Sequence, residues 1–324
     1  VNEPVVVTGG AGYIGAPLCL RIAQSGCAVR ALDILARSQE ETASLLTESG
    51  VELIRGDIRD AGVRRSALSG AHAVVHLAAI VGDPACARDP DLAHQVNVEA
   101  ARALVEDAQA AGVERFVFAS TCSNYGRMAD PTKPIDENGK LAPVSLYAQQ
   151  KVAIERWLLQ QRDGLAPTCL RFATVYGVAP RMRFDLTVNE FTRDLWAGRR
   201  LEVFGEQFWR PYIHVRDAGR AALTVLDAPA KLISGEVFNA GRSGENYRKL
   251  DLVGEIRKLL DRGEVEFVHR DEDPRDYQVS FDKIRETLGF KTEMTVPDGI
   301  AEVIDALDRG VFEDPFDARF RNHP

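Results

Sequence analysis

Val5-Val6-Val7-Thr8-Gly9-Gly10-Ala11-Gly12-Tyr13-Ile14-Gly15 is the stretch on which the architecture turns. Three valines with no polar alternation read as a strand buried on both faces. Gly9, Gly12 and Gly15 then recur at every third position. A chain that turns sharply, lets an anionic group approach its backbone and packs a helix closely on a sheet needs three places without a β-carbon. The helix that follows offers unpaired N–H groups and a positive dipole end to that anion. Ligand-free βα turns also use glycine, so the rest of the chain has to supply the context.

Working outward, Ala28–Leu32, Val51–Ile54, Ala73–Leu77 and Arg115–Ala119 are further short apolar runs, each separated from the next by a helix-like stretch. This alternation predicts an α/β chain with a doubly wound parallel sheet, whose ligands lie at the carboxyl ends of the strands. Asp33 ends the second run, where a carboxylate can accept both hydroxyls of an adenosine ribose and would repel a 2′-phosphate, favouring NAD over NADP. Arg37 is the counter-signal, because it could pair with such a phosphate. Asp57 and Ile58 follow the third strand, placed for the adenine, and the small residues of Leu77-Ala78-Ala79 leave room for a dinucleotide after the fourth. His76 reads as a structural strand-end histidine. Tyr13 and Ile14 complete the cofactor turn.

Tyr147-Ala148-Gln149-Gln150-Lys151 lies in an amphipathic helix expected over 147–161, and puts a phenol and an ammonium one turn apart on the same face. A phenol has a pKa of about 10, and bringing it to about 7 requires roughly 4 kcal/mol of preferential stabilisation of the anion. Lys151 and an oxidised nicotinamide are expected to supply it. Tyr147 could then take a hydroxyl proton as hydride leaves the same carbon. The preceding strand ends Phe118-Ala119-Ser120-Thr121, so Thr121 or Ser123 is placed to hydrogen-bond the substrate oxygen.

Further along, Thr168–Val175 reads as one strand, a helix runs from about Leu186 to Trp196, and Pro211–Val215 and Gly235–Asn239 read as short strands. A last helix is expected near Gly299–Leu307, and the polar tail from Phe312 is expected to be loosely held. Five cysteines without a CxxC or Cys/His cluster indicate neither a disulfide framework nor a metal site. A net charge of −8 argues against non-specific binding to nucleic acid or an anionic membrane. With no leader pattern and no apolar run of spanning length, a cytoplasmic location is expected. The first residue is Val, so a start Met or short leader is expected to lie outside the sequence.

With these motifs in order, the chain resembles the extended short-chain dehydrogenase/reductase family, in its NAD-dependent nucleotide-sugar epimerase/dehydratase branch. The cofactor turn is Thr8–Gly15, the catalytic pair Tyr147 and Lys151, and the catalytic hydroxyl Thr121, followed by Tyr125-Gly126. Asn97 falls on the family's helix asparagine. Arg210, in Arg210-Pro211-Tyr212-Ile213-His214-Val215, falls on an arginine that holds the nucleotide diphosphate, and Arg275 falls near a second. The resemblance implies a seven-stranded Rossmann sheet over 1–173, with 208–240 returning to it, and a smaller C-terminal α/β substrate unit from 174–207 and 241–324. It also implies a nucleotide-diphosphate-sugar substrate and a homodimer through Ala93–Gly112 and Tyr147–Gln161.

The departures bear on the reaction. Dehydratases of the branch carry Asp-Glu after the catalytic Thr; here Cys122-Ser123 stands there, closer to an epimerase. Thr174 replaces the family's usual Asn, and Arg181, Arg183 and Asp185 suggest a polar pocket of their own. The substrate side is thus expected to involve Cys122, Ser123, Thr174, Arg183, Arg210 and Arg275. A 4-epimerase working through a transient 4-keto sugar is the leading expectation. A 4-ketoreductase, an atypical dehydratase with Cys122 as acid or base, and a non-catalytic NAD-binding regulator are the competitors.

Overall fold

The structure is a computed structural model that describes residues 3–36, 39–128, 130, 133–270 and 275–322. Arg37 lies outside these residues. In chain order the strands are β1 (Val5–Thr8), β2 (Val29–Asp33), β3 (Glu52–Arg55), β4 (Ala73–His76), β5 (Arg115–Thr121), β6 (Ala166–Phe172), β7 (Thr174–Tyr176), β8 (Leu201–Phe204), β9 (Trp209–His214), β10 (Glu236–Ala240), β11 (Asn246–Arg248) and β12 (Val265–Val268).

Seven of them form one parallel sheet in the order β10-β6-β5-β4-β1-β2-β3. β1, β4 and the central part of β5 are buried on both faces, as continuous apolar runs require. One hydrophobic layer joins alternate strand residues such as Val5, Val7 and Val75 to Leu18, Ile22 and Val225. The opposite layer joins Val6, Val74 and Phe116 to Leu104, Ile154 and Leu158. β1 pairs with β2 on one side and β4 on the other, so the order reverses beside the glycine turn and opens a crevice at the strands' carboxyl ends.

The segment expected as one strand over Thr168–Val175 is broken. β6 ends at Phe172 in the main sheet, Ala173 donates its N–H to the Ala240 carbonyl at 3.1 Å, and β7 pairs with β9 in a second sheet. Of the segment 208–240, only β10 joins the seven-stranded sheet; β9 lies between β7 and β11. Helices Thr187–Trp196, Lys249–Arg257 and Val296–Asp308 pack there through Val188, Leu195, Ile256 and Ile300.

The C-terminal tail is docked, contrary to the expectation of loose attachment. Phe184 donates its N–H to the Phe320 carbonyl at 2.9 Å, and the rings of Phe184, Phe312 and Phe320 stand edge to face, with centroids 5.1 to 5.7 Å apart. Among the described residues, no helix is long and apolar enough to cross a membrane.

Candidate active site

A cavity of about 650 Å³ follows the crevice along the carboxyl ends of β1, β2, β4 and β5. Gly9, Gly12, Tyr13, Ile14 and Gly15 form its floor at β1. Gly9 has φ +70°, and a β-carbon there would lie 2.9 Å from the Ala78 amide nitrogen. A β-carbon at Gly15 would overlap the Gly9 carbonyl oxygen. The turn is therefore folded tightly on itself and on the next strand, with the helix Gly15–Gln24 starting at the cavity.

At one end stands Asp33, buried, accepting N–H bonds from Ala11 at 3.0 Å and Leu35 at 2.9 Å. Burial outweighs these bonds and the nearby Arg181 charge, raising its carboxyl above the ordinary range. Leu35 adopts φ +54°, an uncommon backbone state for a branched residue, and its N–H bond to Asp33 helps hold it. Asp57 and Ile58 line the same end, with Asp57 bonded to the Arg59 backbone and guanidinium. Leu77, Ala78 and Ala79 form the wall after β4.

At the other end the helix Leu146–Leu158 delivers the pair. Ser145 caps it, accepting the Ala148 N–H at 3.3 Å. Tyr147 and Lys151 face the cavity beside Thr121 and Ser123. Lys151 donates to the Ala119 carbonyl at 2.7 Å, and its nitrogen lies 4.6 Å from the Phe118 ring centre and 5.8 Å from that of Tyr147. Burial lowers its pKa from 10.5 to about 8. The Tyr147 phenol is pushed up, first by burial and then by Cys86, against the Arg183 charge.

One turn further along this helix, Glu155 forms a nearly fully buried ion pair with Arg171 and accepts from the Ser120 hydroxyl at 2.7 Å. Arg171 also donates to the Tyr125 hydroxyl, which donates to Asn239. This network ties the end of β5, the helix Leu146–Leu158, β6 and β10 together directly beneath the site. Its motif positions, Glu155 at Lys151 plus four and Arg171 in β6, carry no signal in the sequence beyond the helical spacing.

Thr174, Arg183 and Arg275 also reach the cavity. Three expected residues do not. Asn97 sits on a π-helical turn, Gln95–Ala100, and spends its amide on the Ile80 N–H at 2.8 Å, the Ile80 carbonyl at 3.0 Å and Gln150 at 2.9 Å. It shapes the wall from behind. Cys122 is 1% exposed, points its thiol at the Arg171 carbonyl at 3.2 Å, and burial pushes that thiol well above the ordinary range. Arg210 donates to the Trp209 carbonyl at 2.7 Å and stacks on Tyr277, whose ring lines the cavity in its place. Sequence reasoning missed Tyr277 and Asn322; their place in the wall depends on chain segments far apart in sequence. His76 bonds Thr8 at 2.7 Å and is held neutral, its pKa lowered to about 3 by burial and Lys151, in keeping with a structural role.

The fit to a dinucleotide rests on the compact glycine floor, the buried carboxylate at one end and the hydroxyl–ammonium cluster at the other. Among the described residues, no group of three or more His, Cys, Asp or Glu side chains could hold a metal ion.

Compared with known proteins, residues 5–241 match the model of the NAD dependent epimerase/dehydratase family. The chain is 30% identical over 315 residues to UDP-glucose 4-epimerase of Rhizobium leguminosarum bv. trifolii, covering 89% of this chain and 92% of that one. It is 30% identical over 312 residues to dTDP-glucose 4,6-dehydratase of Streptomyces griseus, covering 93% and 92%. The solved structure of MoeE5 in complex with UDP-glucuronic acid and NAD superposes with a TM-score of 0.82 at 29% identity, covering 95% of this chain and 99% of that chain.

Proposed function

The chain belongs to the NAD dependent epimerase/dehydratase family, and within it we propose that the protein is a nucleotide-diphosphate-sugar 4-epimerase working through a transient 4-keto sugar. The observation that carries this reading is the meeting of Tyr147, Lys151 and Thr121 at one end of the cavity, with Ser123 rather than a carboxylate beside Thr121. Removal of water from C5 and C6 needs an acid and a base at that strand end, and Cys122 is buried away from it.

Gly9, Gly12 and Gly15 would hold the NAD diphosphate at the turn, Asp33 the adenosine ribose, and Tyr147 and Lys151 the nicotinamide end. NAD supplies, when bound, a hydride acceptor and positive charge beside the phenol. Thr121 orients the C4 oxygen by a hydrogen bond, and Tyr147 takes the hydroxyl proton and later returns it. Lys151 holds the end of β5 through Ala119 and keeps a cation one helical turn from the phenol. Arg275 is the diphosphate ligand this reading assigns to the substrate. A homodimer is part of the reading; Ala101–Ala110 and Leu146–Leu158 lie side by side, with Arg102 5.3 Å from the Trp157 ring centre.

The test is a panel of sugar nucleotides incubated with the NAD-loaded protein in heavy water, the sugar followed by NMR and the cofactor by absorbance. Inversion at C4 without solvent deuterium and without net NADH is the expected result. Stoichiometric consumption of NADH would make the protein a ketoreductase, and deuterium entry with loss of water a dehydratase.

A further inference from the structure

The helix Leu146–Leu158 presents Tyr147, Lys151 and Glu155 at four-residue steps, which sets the three side chains along one face. Two of them reach consecutive residues at the end of β5. Lys151 donates to the Ala119 carbonyl at 2.7 Å, and Glu155 accepts from the Ser120 hydroxyl at 2.7 Å. The next residue of the strand is Thr121. Helix and strand are thus bonded at two successive rungs, immediately beside the hydroxyl and the phenol that face the cavity.

The direction of the Thr121 hydroxyl is set by the short turn Cys122–Tyr125 that follows it. Its oxygen accepts the Ser123 N–H at 3.1 Å, which leaves its proton for a ligand in the cavity. The turn is held from beneath. Asn124 donates to the Ser120 hydroxyl oxygen at 3.0 Å, and the Tyr125 hydroxyl lies between Arg171 at 2.9 Å and Asn239 at 2.7 Å. Glu155 joins these bonds: it takes Arg171 through Nε at 3.2 Å and Nη2 at 2.5 Å while holding Ser120. Both members of the ion pair are buried, and neither lines the cavity. We propose that Glu155 is a positioning residue for the reaction: through Ser120 and the turn Cys122–Tyr125 it sets the Thr121 hydroxyl against the Tyr147 phenol carried by its own helix.

A buried ion pair is a weak source of net stability, because apolar partners of the same volume often do as well or better. What this pair supplies is direction. A carboxylate held by a guanidinium fork on one side and a hydroxyl on the other has both oxygens fixed. A displacement of reacting groups by about 1 Å costs on the order of a hundredfold in rate. Glu155 therefore acts on the chemical step and leaves the binding contacts of the cavity as they are. This inference rests on Thr121 and Tyr147 working on the sugar oxygen, as the proposed function requires.

The test is steady-state turnover of UDP-glucose, or of another sugar nucleotide of the panel if the parent prefers it, by the NAD-loaded protein. Glu155→Gln, Ser120→Ala and the double variant are compared, with kcat expressed per NADH-binding site so that unfolded protein does not count. Each single variant should lower kcat roughly tenfold to a hundredfold, with KM and NADH affinity within about twofold of the parent. The double variant should lose no more than the worse single one, as two residues acting through one contact require. Losses that multiply in the double variant, or the parent's kcat in Glu155→Gln, overturn the proposal. Glu155→Leu combined with Arg171→Met removes both charges and leaves none unpaired in the core. Should Glu155→Gln fail to fold, this pair is expected to show the same fall in kcat at unchanged KM, and the parent's kcat there overturns the proposal. A parent protein that turns over no sugar nucleotide overturns the enzymatic reading itself, an outcome distinct from an active parent with indifferent variants.

Discussion

Tyr147 and Lys151 illustrate how a buried site holds opposite demands in two side chains. The phenol is kept protonated by burial, so its proton uptake waits for positive charge in the cavity. Tyr147→Phe keeps the ring and removes the acid; turnover should fall by about a thousandfold, within the range for loss of a general acid–base group, while NADH titration gives an affinity within a few-fold of the parent. Parent-like turnover would remove Tyr147 from the chemistry. Lys151 carries a stability cost. Its folded pKa of about 8 lies below the 10.5 of the free side chain, an interval equivalent to ~3 kcal/mol. Between these values the unfolded chain holds more protons than the folded one, so stability rises with pH across that window and the full cost is present below it. Lys151→Met should therefore stabilise the cofactor-free protein at pH 7 by about 1–2 kcal/mol, after allowing roughly 1 kcal/mol for the lost hydrogen bond to Ala119. Melting curves at pH 7 and 10 check this: the gain at pH 7 should shrink at pH 10, and turnover should be lost at both.

At the scale of elements, the strand–turn–helix unit from β1 into Gly15–Gln24 is set by local sterics, and two glycine substitutions separate the reasons for glycine. Gly15→Ala would press a β-carbon into the Gly9 carbonyl, so it should destabilise by about 1–3 kcal/mol and weaken NADH binding, although Ala favours helix. Gly254, inside the helix Lys249–Arg257, meets nothing within 4 Å, and Gly254→Ala should stabilise by about 0.5–1 kcal/mol with no change in NADH affinity. Denaturant midpoints and NADH titrations decide both. The same distinction explains what could be read from the sequence. The glycine turn, Asp33 and the Tyr147/Lys151 pair were legible because their spacing is governed by one turn or one helix. The break at Ala173 was not, since Thr174–Tyr176 leaves the main sheet to pair with β9, a partner nearly forty positions away that no local pattern announces. Asn97 was visible as a motif residue, but its direction depends on a π-helical turn and on the Ile80 backbone. Arg210 was visible as an arginine, but the Tyr277 ring that lines the cavity in front of it comes from beyond residue 270. The docking of Phe320 on Phe184 is likewise a contact across more than a hundred residues, and a polar tail with scattered aromatics gives no sign of it.

At the scale of the whole molecule, the charge is distributed against its sum. The chain carries a net −8, yet Arg59, Lys151, Arg181, Arg183 and Arg275 line the cavity against three carboxylates, Asp33, Asp57 and Asp83. A doubly anionic sugar nucleotide is therefore repelled by the average surface and drawn by the crevice, where low-dielectric walls focus the field. Salt weakens exposed attraction more than buried pairing, because the screening length falls from about 10 Å at 0.1 M to about 3 Å at 1 M. Arg59 and Arg275 are the open members, each about two-fifths exposed; Arg59 pairs with Asp57 at the adenine end, and Arg275, paired with Asp83 at 3.2 Å, is the one assigned to the substrate. The KM for a sugar nucleotide should thus rise several-fold between 0.05 and 0.5 M salt with kcat little changed, since a tenfold rise in salt shortens the screening length about threefold. Arg275→Gln should raise KM at low salt by about tenfold, as removal of one charge-assisted contact of roughly 1.5 kcal/mol requires, and should flatten the salt dependence because the most screened contact is gone. Steady-state kinetics across the salt series for both proteins decide it: an Arg275→Gln variant with the parent's KM and the parent's salt slope would take Arg275 out of substrate capture and leave the attraction to cations deeper in the trough.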